Sequence, residues 1–214
     1  MALSIASSIG MICEMKLPVL SIIAENNYLL KGRRIMGQKQ PMKYTDYFPE
    51  VMNLMTTHGI LLCAWSKPGK LANAMTIGWG LIGSVWSRPT WQMMVRPSRY
   101  TFELLKEQSI FTVNVLAKSQ TKALAICGSK SGRDLDKLAE CGLSVTPGTV
   151  SGAPVIDQSI IHYECHIVHS NDFIPEAMIP DIRKGAYPSG DYHRVFWGEI
   201  LDSQVDIEGL PQLN

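Results

Sequence analysis

Three short blocks of residues carry types and spacings that suit chemistry. Arg96, Ser98, Arg99 and Thr101 put two guanidinium groups and two hydroxyls within six positions, where an apolar segment turns into a helix-like one. Such a turn can surround a phosphate with charge-assisted hydrogen bonds. Upstream, Asn73, Met75, Thr76, Ile77 and Trp79 alternate polar and apolar character on a strand-like segment. Thr76 and backbone amides offer hydrogen bonds there, and Met75 and Trp79 offer packing, which together suit a flat heteroaromatic ring. Downstream, Asn114 is a lone amide inside the apolar run 111–116. A buried amide must find partners, and backbone groups or ligand atoms would serve equally. A ligand with a phosphate at one end and a ring at the other would use all three blocks. Taken singly, each block also fits plain structure: Ser98 as a helix cap, the arginines solvated, and an ordinary core strand.

Two further clusters invite a functional reading. His162, Glu164 and His166 share one face of a strand-like segment, a facial set that could hold zinc or iron. The alternative is an ordinary strand; no metal is expected, and Cys165 on the opposite face is expected to be inert core. The run Ser131, Gly132, Arg133, Asp134, Leu135, Asp136 and Lys137 reads first as a capped, solvated helix start. Lys137 or Arg133 could alternatively direct positive charge toward the phosphate or a second ligand.

The elements that must position these groups follow from patterning. Residues 59–65 are almost all apolar and end at Ser66, Lys67, Pro68 and Gly69, a buried strand and turn. Residues 73–79 and 90–95 are strands, with a loop holding Gly80, Gly83, Arg88 and Pro89 between them. Residues 100–108 form a helix with Leu104 and Leu105 inward and Glu103, Lys106 and Glu107 outward. Residues 110–116 are a β-branched strand. Ser119 is placed to cap a helix reaching Cys127, and a shorter helix from Arg133 to Glu140 is closed by Gly142. After a Pro/Gly-rich stretch, residues 160–169 and 192–201 are strands. Strands outnumber helices, and no βαβ unit with a Gly-x-Gly-x-x-Gly turn occurs. The expected class is mainly β, a closed antiparallel barrel with short helical inserts.

Composition narrows the function. The 214 residues carry a net charge of +1 and no basic stripe, which argues against nucleic-acid binding. Five scattered cysteines (Cys13, Cys63, Cys127, Cys141 and Cys165) lack metal or cluster spacing and fit a reducing compartment, with cytoplasmic localisation expected. No apolar run is long enough to span a bilayer as a helix. Residues 1–40 are expected to be an N-terminal extension, disordered or loosely docked, ahead of a domain at 41–214. Lys31, Gly32, Arg33 and Arg34 precede Met36. Purine-rich codons for Gly-Arg-Arg would suit a ribosome-binding site, so Met36 is an alternative start.

The order of these blocks resembles the flavin reductase-like family, the FMN-binding split barrels that include the flavoredoxins. The resemblance runs from about Tyr47 to Leu201. Its further blocks are His58 to Cys63, Ser87 with Arg88 and Pro89, Tyr163 with Glu164 and Cys165, and Asp191, Tyr192 and His193 leading to Gly198 and Glu199. It implies a Greek-key split barrel working as a homodimer, with FMN near the subunit boundary. Its phosphate would lie at Arg96, Ser98, Arg99 and Thr101, and its ring along Asn73, Met75, Thr76, Ile77 and Trp79, with Asn114 nearby. The family's Gly-Asp-His block reads Gly190, Asp191, Tyr192, His193 here, so either His193 or Tyr192 takes the position beside flavin and nicotinamide. Leu138 stands where a Phe is usual. No acid or base is assigned, since hydride transfer needs none; His193 would position the donor. The function implied is an FMN oxidoreductase passing electrons from NADH or NADPH to a flavin, ferric chelate or protein acceptor. The alternatives are a flavoredoxin-like carrier that does not use NAD(P)H and a non-enzymatic ligand-binding barrel.

Overall fold

The computed structural model describes residues 39–213. In chain order the elements are β1 (Gln40–Pro41), α1 (Phe48–Thr57), β2 (Ile60–Lys67), β3 (Leu71–Ile77), β4 (Gly80–Val85), β5 (Arg88–Val95), α2 (Tyr100–Glu107) and β6 (Ile110–Val115). They continue with α3 (Thr121–Ser129), α4 (Lys137–Glu140), β7 (Val145–Pro147), β8 (Pro154–Ile156), β9 (Ile161–Asp172), α5 (Pro180–Ala186) and β10 (Arg194–Val205). Short 3-10 turns cover Pro175–Ala177 and Ile207–Leu213. The expected break at Met36 and nearly all of the expected extension lie outside the described residues. The first described ones are tied down: Lys39 Nζ donates to Ser159 Oγ at 2.9 Å, and Gln40–Pro41 pairs with β10.

The large sheet is antiparallel throughout and runs β3-β2-β6-β9-β10-β5-β4, with β1 on β10. Its two outermost strands are joined by Gly78 and Trp79 alone. Seven strands laid flat would hold them roughly 29 Å apart at about 4.8 Å per spacing, whereas three residue steps span at most about 11 Å. The sheet must therefore curl until β3 and β4 meet. Six antiparallel steps leave those two strands running in the same direction. They act as one strand that leaves β2 at Ile77 and joins β5 from Gly80. The result is the expected mainly β barrel with helical inserts.

Period-two alternation explains how the barrel fills. On β2, Ile60, Leu62 and Ala64 face the barrel core with Trp91, Phe111, Val113, Tyr163 and Phe196. Leu61, Cys63 and Trp65 face a second core under α3 and α4, with Leu124, Cys127, Leu138 and Ile156. Burial on both faces accounts for the unbroken apolar run of β2.

Several boundaries differ from the sequence expectation. The stretch 80–89 is not a loop: Gly80–Val85 is a strand, turned into β5 through Trp86 and Ser87, both at positive φ. Its signal is faint because it holds two glycines and buries little apolar surface. Ser119 does not cap α3. Gln120 occupies that position without a side-chain cap bond, after a turn closed by Gln120 N–H on Ala117 O. The helix read from Arg133 begins only at Lys137, because Asp136 is the cap and its Oδ1 accepts from the Ala139 amide at 3.1 Å. Gly142, at φ +66°, closes it as expected. The last strand starts at Arg194, not Tyr192, and the Pro/Gly-rich stretch joins two short paired strands, β7 and β8, that the sequence reading did not place.

Candidate functional site

The turn between β5 and α2 is held from outside the barrel. The Asp191 carboxylate accepts from Ser98 N at 3.1 Å and from Ser98 Oγ at 2.6 Å. The Arg96 guanidinium donates to Asp191 O at 3.0 Å and Ala186 O at 2.8 Å, and lies 5.0 Å from the centre of the Tyr187 ring. Of the four residues expected to hold a phosphate, Arg96 and the Ser98 hydroxyl are therefore spent on the 186–191 loop, which leaves Arg99 and the Thr101 hydroxyl.

Ser98, Arg99 and Thr101 form one wall of a cleft of about 110 Å³. The opposite wall is the C-terminal end of α3 and the turn after it: Gly128, Lys130, Ser131, Gly132, Arg133 and, from α4, Lys137. Met75 of β3 also lines it. The fold thus brings the 131–137 block against the 96–101 block, an arrangement that the sequence left as an alternative. Among the described residues, no carboxylate lines this cleft. Arg133 pairs with Glu103 at 2.6 Å, but Arg99, Lys130 and Lys137 have no ion-pair partner among the described residues. Burial lowers the Lys137 ammonium below the usual lysine range, against an upward pull from Cys127, and the Arg99 guanidinium lowers it further. Its Nζ donates to the Cys127 carbonyl at 3.3 Å.

Asn73 lies at the edge of this cleft. Its Nδ2 donates to Thr101 Oγ1 at 2.8 Å, and its buried Oδ1 has no partner among the described residues. Turning the amide over would only move the unpaired atom from oxygen to nitrogen. A Cβ at Gly132 would collide with that oxygen, so glycine is required for the approach. Other expected ring contacts are distributed differently. Ile77 is buried in the barrel core, and Thr76 points to the other side of β3, where its hydroxyl donates to Leu124 O at 2.6 Å. Asn114 is satisfied by protein: its Nδ2 donates to Thr112 Oγ1 at 2.7 Å and its Oδ1 accepts from Ile156 N at 3.0 Å.

The end of β3 leads to an aromatic group. Trp79 is 47% exposed, and its ring lies 5.1 Å from that of His193. His193 Nδ1 and Tyr187 Oη are 2.7 Å apart, and Tyr192 stacks on Tyr187 at 4.8 Å. It is His193, then, and not Tyr192, that meets the β3–β4 corner. Burial and the Arg96 guanidinium lower its pKa to about 4, so the imidazole is neutral near pH 7. Tyr187 carried no sequence signal, because it lies in a segment without periodicity.

The facial set His162, Glu164 and His166 is not assembled. His166 is exposed, and Asp202 takes its place within 4.8 Å of the other two. The fully buried Glu164 carboxylate already accepts four hydrogen bonds, from the amides of Thr149, Val150 and Ser151 and from Ser151 Oγ. Glu164 anchors the β7–β8 hairpin, and a Cβ at Gly148 would collide with it. Cys165 is buried core, and burial holds its thiol well above the usual range.

A family model described as "Flavin reductase like domain" matches residues 52–213. Among solved structures, flavoredoxin from Methanosarcina acetivorans is 26% identical, with a TM-score of 0.53 over 68% of this chain and 67% of that one. The NADH:FAD oxidoreductase SgcE6 of Streptomyces globisporus C-1027 is 21% identical, with a TM-score of 0.51 over 78% and 87%; at that identity it speaks for the fold alone. An uncharacterized protein of Aeropyrum pernix is 26% identical over 124 residues, 55% of this chain. The chain spans about half the length of that relative, 47%.

Proposed function

We propose, for a chain that belongs to the flavin reductase-like family, that it holds FMN and passes electrons from NADH or NADPH to a flavin, ferric chelate or protein acceptor. The observation that carries this reading is the acid-free cleft with its unpaired cations. Lys137 is buried without a counter-ion, which is costly unless an anion joins it, and the exposed Arg99 and Lys130 add positive charge at the mouth of the same cleft; a terminal phosphate supplies the missing negative charge. The unpaired amide of Asn73 beside the same cleft is a second group in want of a partner. The residues present therefore fit the cofactor.

Bound FMN would supply the two-electron chemistry that the side chains lack. Arg99, Lys130, Ser131, Arg133 and Lys137 would hold its phosphate, and Met75 and Trp79 would place its ring at the β3–β4 corner. His193, neutral and hydrogen-bonded to Tyr187, would orient the donor's ring against the open face without giving up a proton. Arg96 and Asp191 serve by clamping the phosphate turn to the loop that carries His193. In this reading the protein is a cytoplasmic homodimer. Free thiols at Cys63, Cys127, Cys141 and Cys165 support a reducing compartment. Among the described residues no helix is long and apolar enough to cross a membrane.

The visible spectrum of the purified protein, recorded anaerobically before and after NADH and then NADPH, tests the proposal. Rapid bleaching of a flavin spectrum is expected, and the effective nucleotide identifies the donor. The likeness to a flavoredoxin at 26% identity favours one other reading, an electron carrier. A flavin spectrum that bleaches only with a chemical reductant would select it. A colourless protein that takes up no FMN would overturn both.

A further inference from the structure

A second cleft lies on the far side of Tyr187. The connection from β9 to β10 folds back on itself, so that Met178, Arg183, Lys184, Tyr187, Gly190 and Tyr192 enclose about 380 Å³. That volume is of the size small organic ligands occupy. Among the described residues, no carboxylate lines it. Arg183 and Lys184, adjacent on α5, form no ion pair among the described residues, whereas Arg88, Arg133 and Arg194 are each paired with a carboxylate. The aromatic side of the cleft is built: Tyr192 stacks on Tyr187 at 30° between planes, and Tyr187 is buried.

Its position gives the cleft meaning. The ring of Tyr187 forms part of its wall, while the Tyr187 hydroxyl meets His193, whose other neighbour is Trp79. One tyrosine thus separates this cleft from the corner where donor and flavin would meet. A nicotinamide dinucleotide that presents its reactive ring at that corner must place two phosphates and a second base close by. Two uncompensated cations suit the phosphates, and a tyrosine face suits a purine.

Resting on the functional reading above, we propose that the cleft between α5 and the 187–192 loop binds the adenosine diphosphate half of the dinucleotide donor. Arg183 and Lys184 hold the phosphates and Tyr192 stacks on the base. The shared Tyr187 couples occupancy of the cleft to the orientation of His193.

Calorimetric titration of ADP into FMN-loaded protein tests this. ADP is expected to bind, adenosine to bind much more weakly, and the double variant Arg183→Ala with Lys184→Ala to lose roughly tenfold or more in ADP affinity. The same variant should keep its FMN affinity, since neither residue touches the phosphate cleft of the flavin. In turnover, KM for the nicotinamide dinucleotide should rise by a similar factor with kcat unchanged. The proposal is overturned if FMN-loaded wild-type protein does not bind ADP, or if the variant binds it equally well. It is also overturned if KM for FAD as acceptor rises in place of KM for the donor. Failure to load FMN would instead count against the functional reading, and ADP binding that depends on Arg183 and Lys184 in such protein would leave the nucleotide cleft standing.

Discussion

Arg96 and Arg99 are three positions apart and chemically alike, yet the fold gives them different work. Arg96 braces a loop through two carbonyls, while Arg99 faces a cleft with no acid in it. Replacing Arg99 and Arg133 with Ala should each weaken FMN binding roughly ten- to hundredfold, the loss of one charge-assisted hydrogen bond of about 1.5–3 kcal/mol. Quenching of flavin fluorescence measures this. Arg96→Ala should instead disturb the 186–191 loop, raising KM for the donor more than the Kd for FMN. Lys137 adds a pH signature. Its ammonium, lowered by burial, is the form that attracts phosphate. FMN affinity should therefore decline on the alkaline side at a lower pH than an ordinary lysine would dictate, and Lys137→Met should flatten that decline. An unchanged alkaline profile in the variant would remove Lys137 from the site.

At the scale of elements, the β7–β8 hairpin is held to the barrel by one side chain. Glu164 gathers three amides and a hydroxyl from residues 149–151, an arrangement that satisfies a buried carboxylate. Glu164→Ala leaves those donors unpaired, and a loss of about 2–4 kcal/mol is expected in urea unfolding, with faster amide exchange confined to 147–154. Added zinc should leave the melting temperature of the wild type unchanged. A rise with zinc would show that His162, Glu164 and Asp202 do bind metal. The same reasoning from partners accounts for Asn114, whose amide joins β6 to β8 and contributes to the site only by fixing the barrel wall.

For the whole molecule, two buried histidines set the acid limit. Burial lowers His162 to about 3, with Lys39 adding to the effect, and lowers His193 to about 4. An unfolded histidine titrates near 6.5. Between those values the unfolded chain binds more protons than the folded one, so stability present above pH 6.5 is lost as pH falls toward 4 and below. The melting temperature should drop through that window, and His162→Gln should reduce the slope. A variant with the wild-type slope would show that His162 is not responsible. The exposed Ile174, Ile179 and Ile182 all belong to the β9–β10 connection. An apolar group of that kind is consistent with the proposed dimer, and sedimentation velocity should find twice the chain mass of 23.8 kDa.

By itself, the sequence determined what depends on near neighbours. An apolar run ended by a turn placed β2, β-branched residues placed β6, the turn-to-helix step placed the cluster at 96–101, and its guanidinium and hydroxyl groups already pointed to a phosphate. The tertiary structure alone decided which cations converge and which are spent. Arg96 finds its carbonyl acceptors 90 and 95 residues away, and the cleft joins segments near 99, 130 and 137. It alone decided that the Thr76 hydroxyl is taken by Leu124 O, that Asn114 is satisfied by the protein, and that β3 and β4 act as one strand closing the barrel. Contacts along a strand or helix repeat every two to four residues and leave a local pattern. Pairing across a closed sheet depends on register and closure, and it leaves no trace in the spacing of either partner.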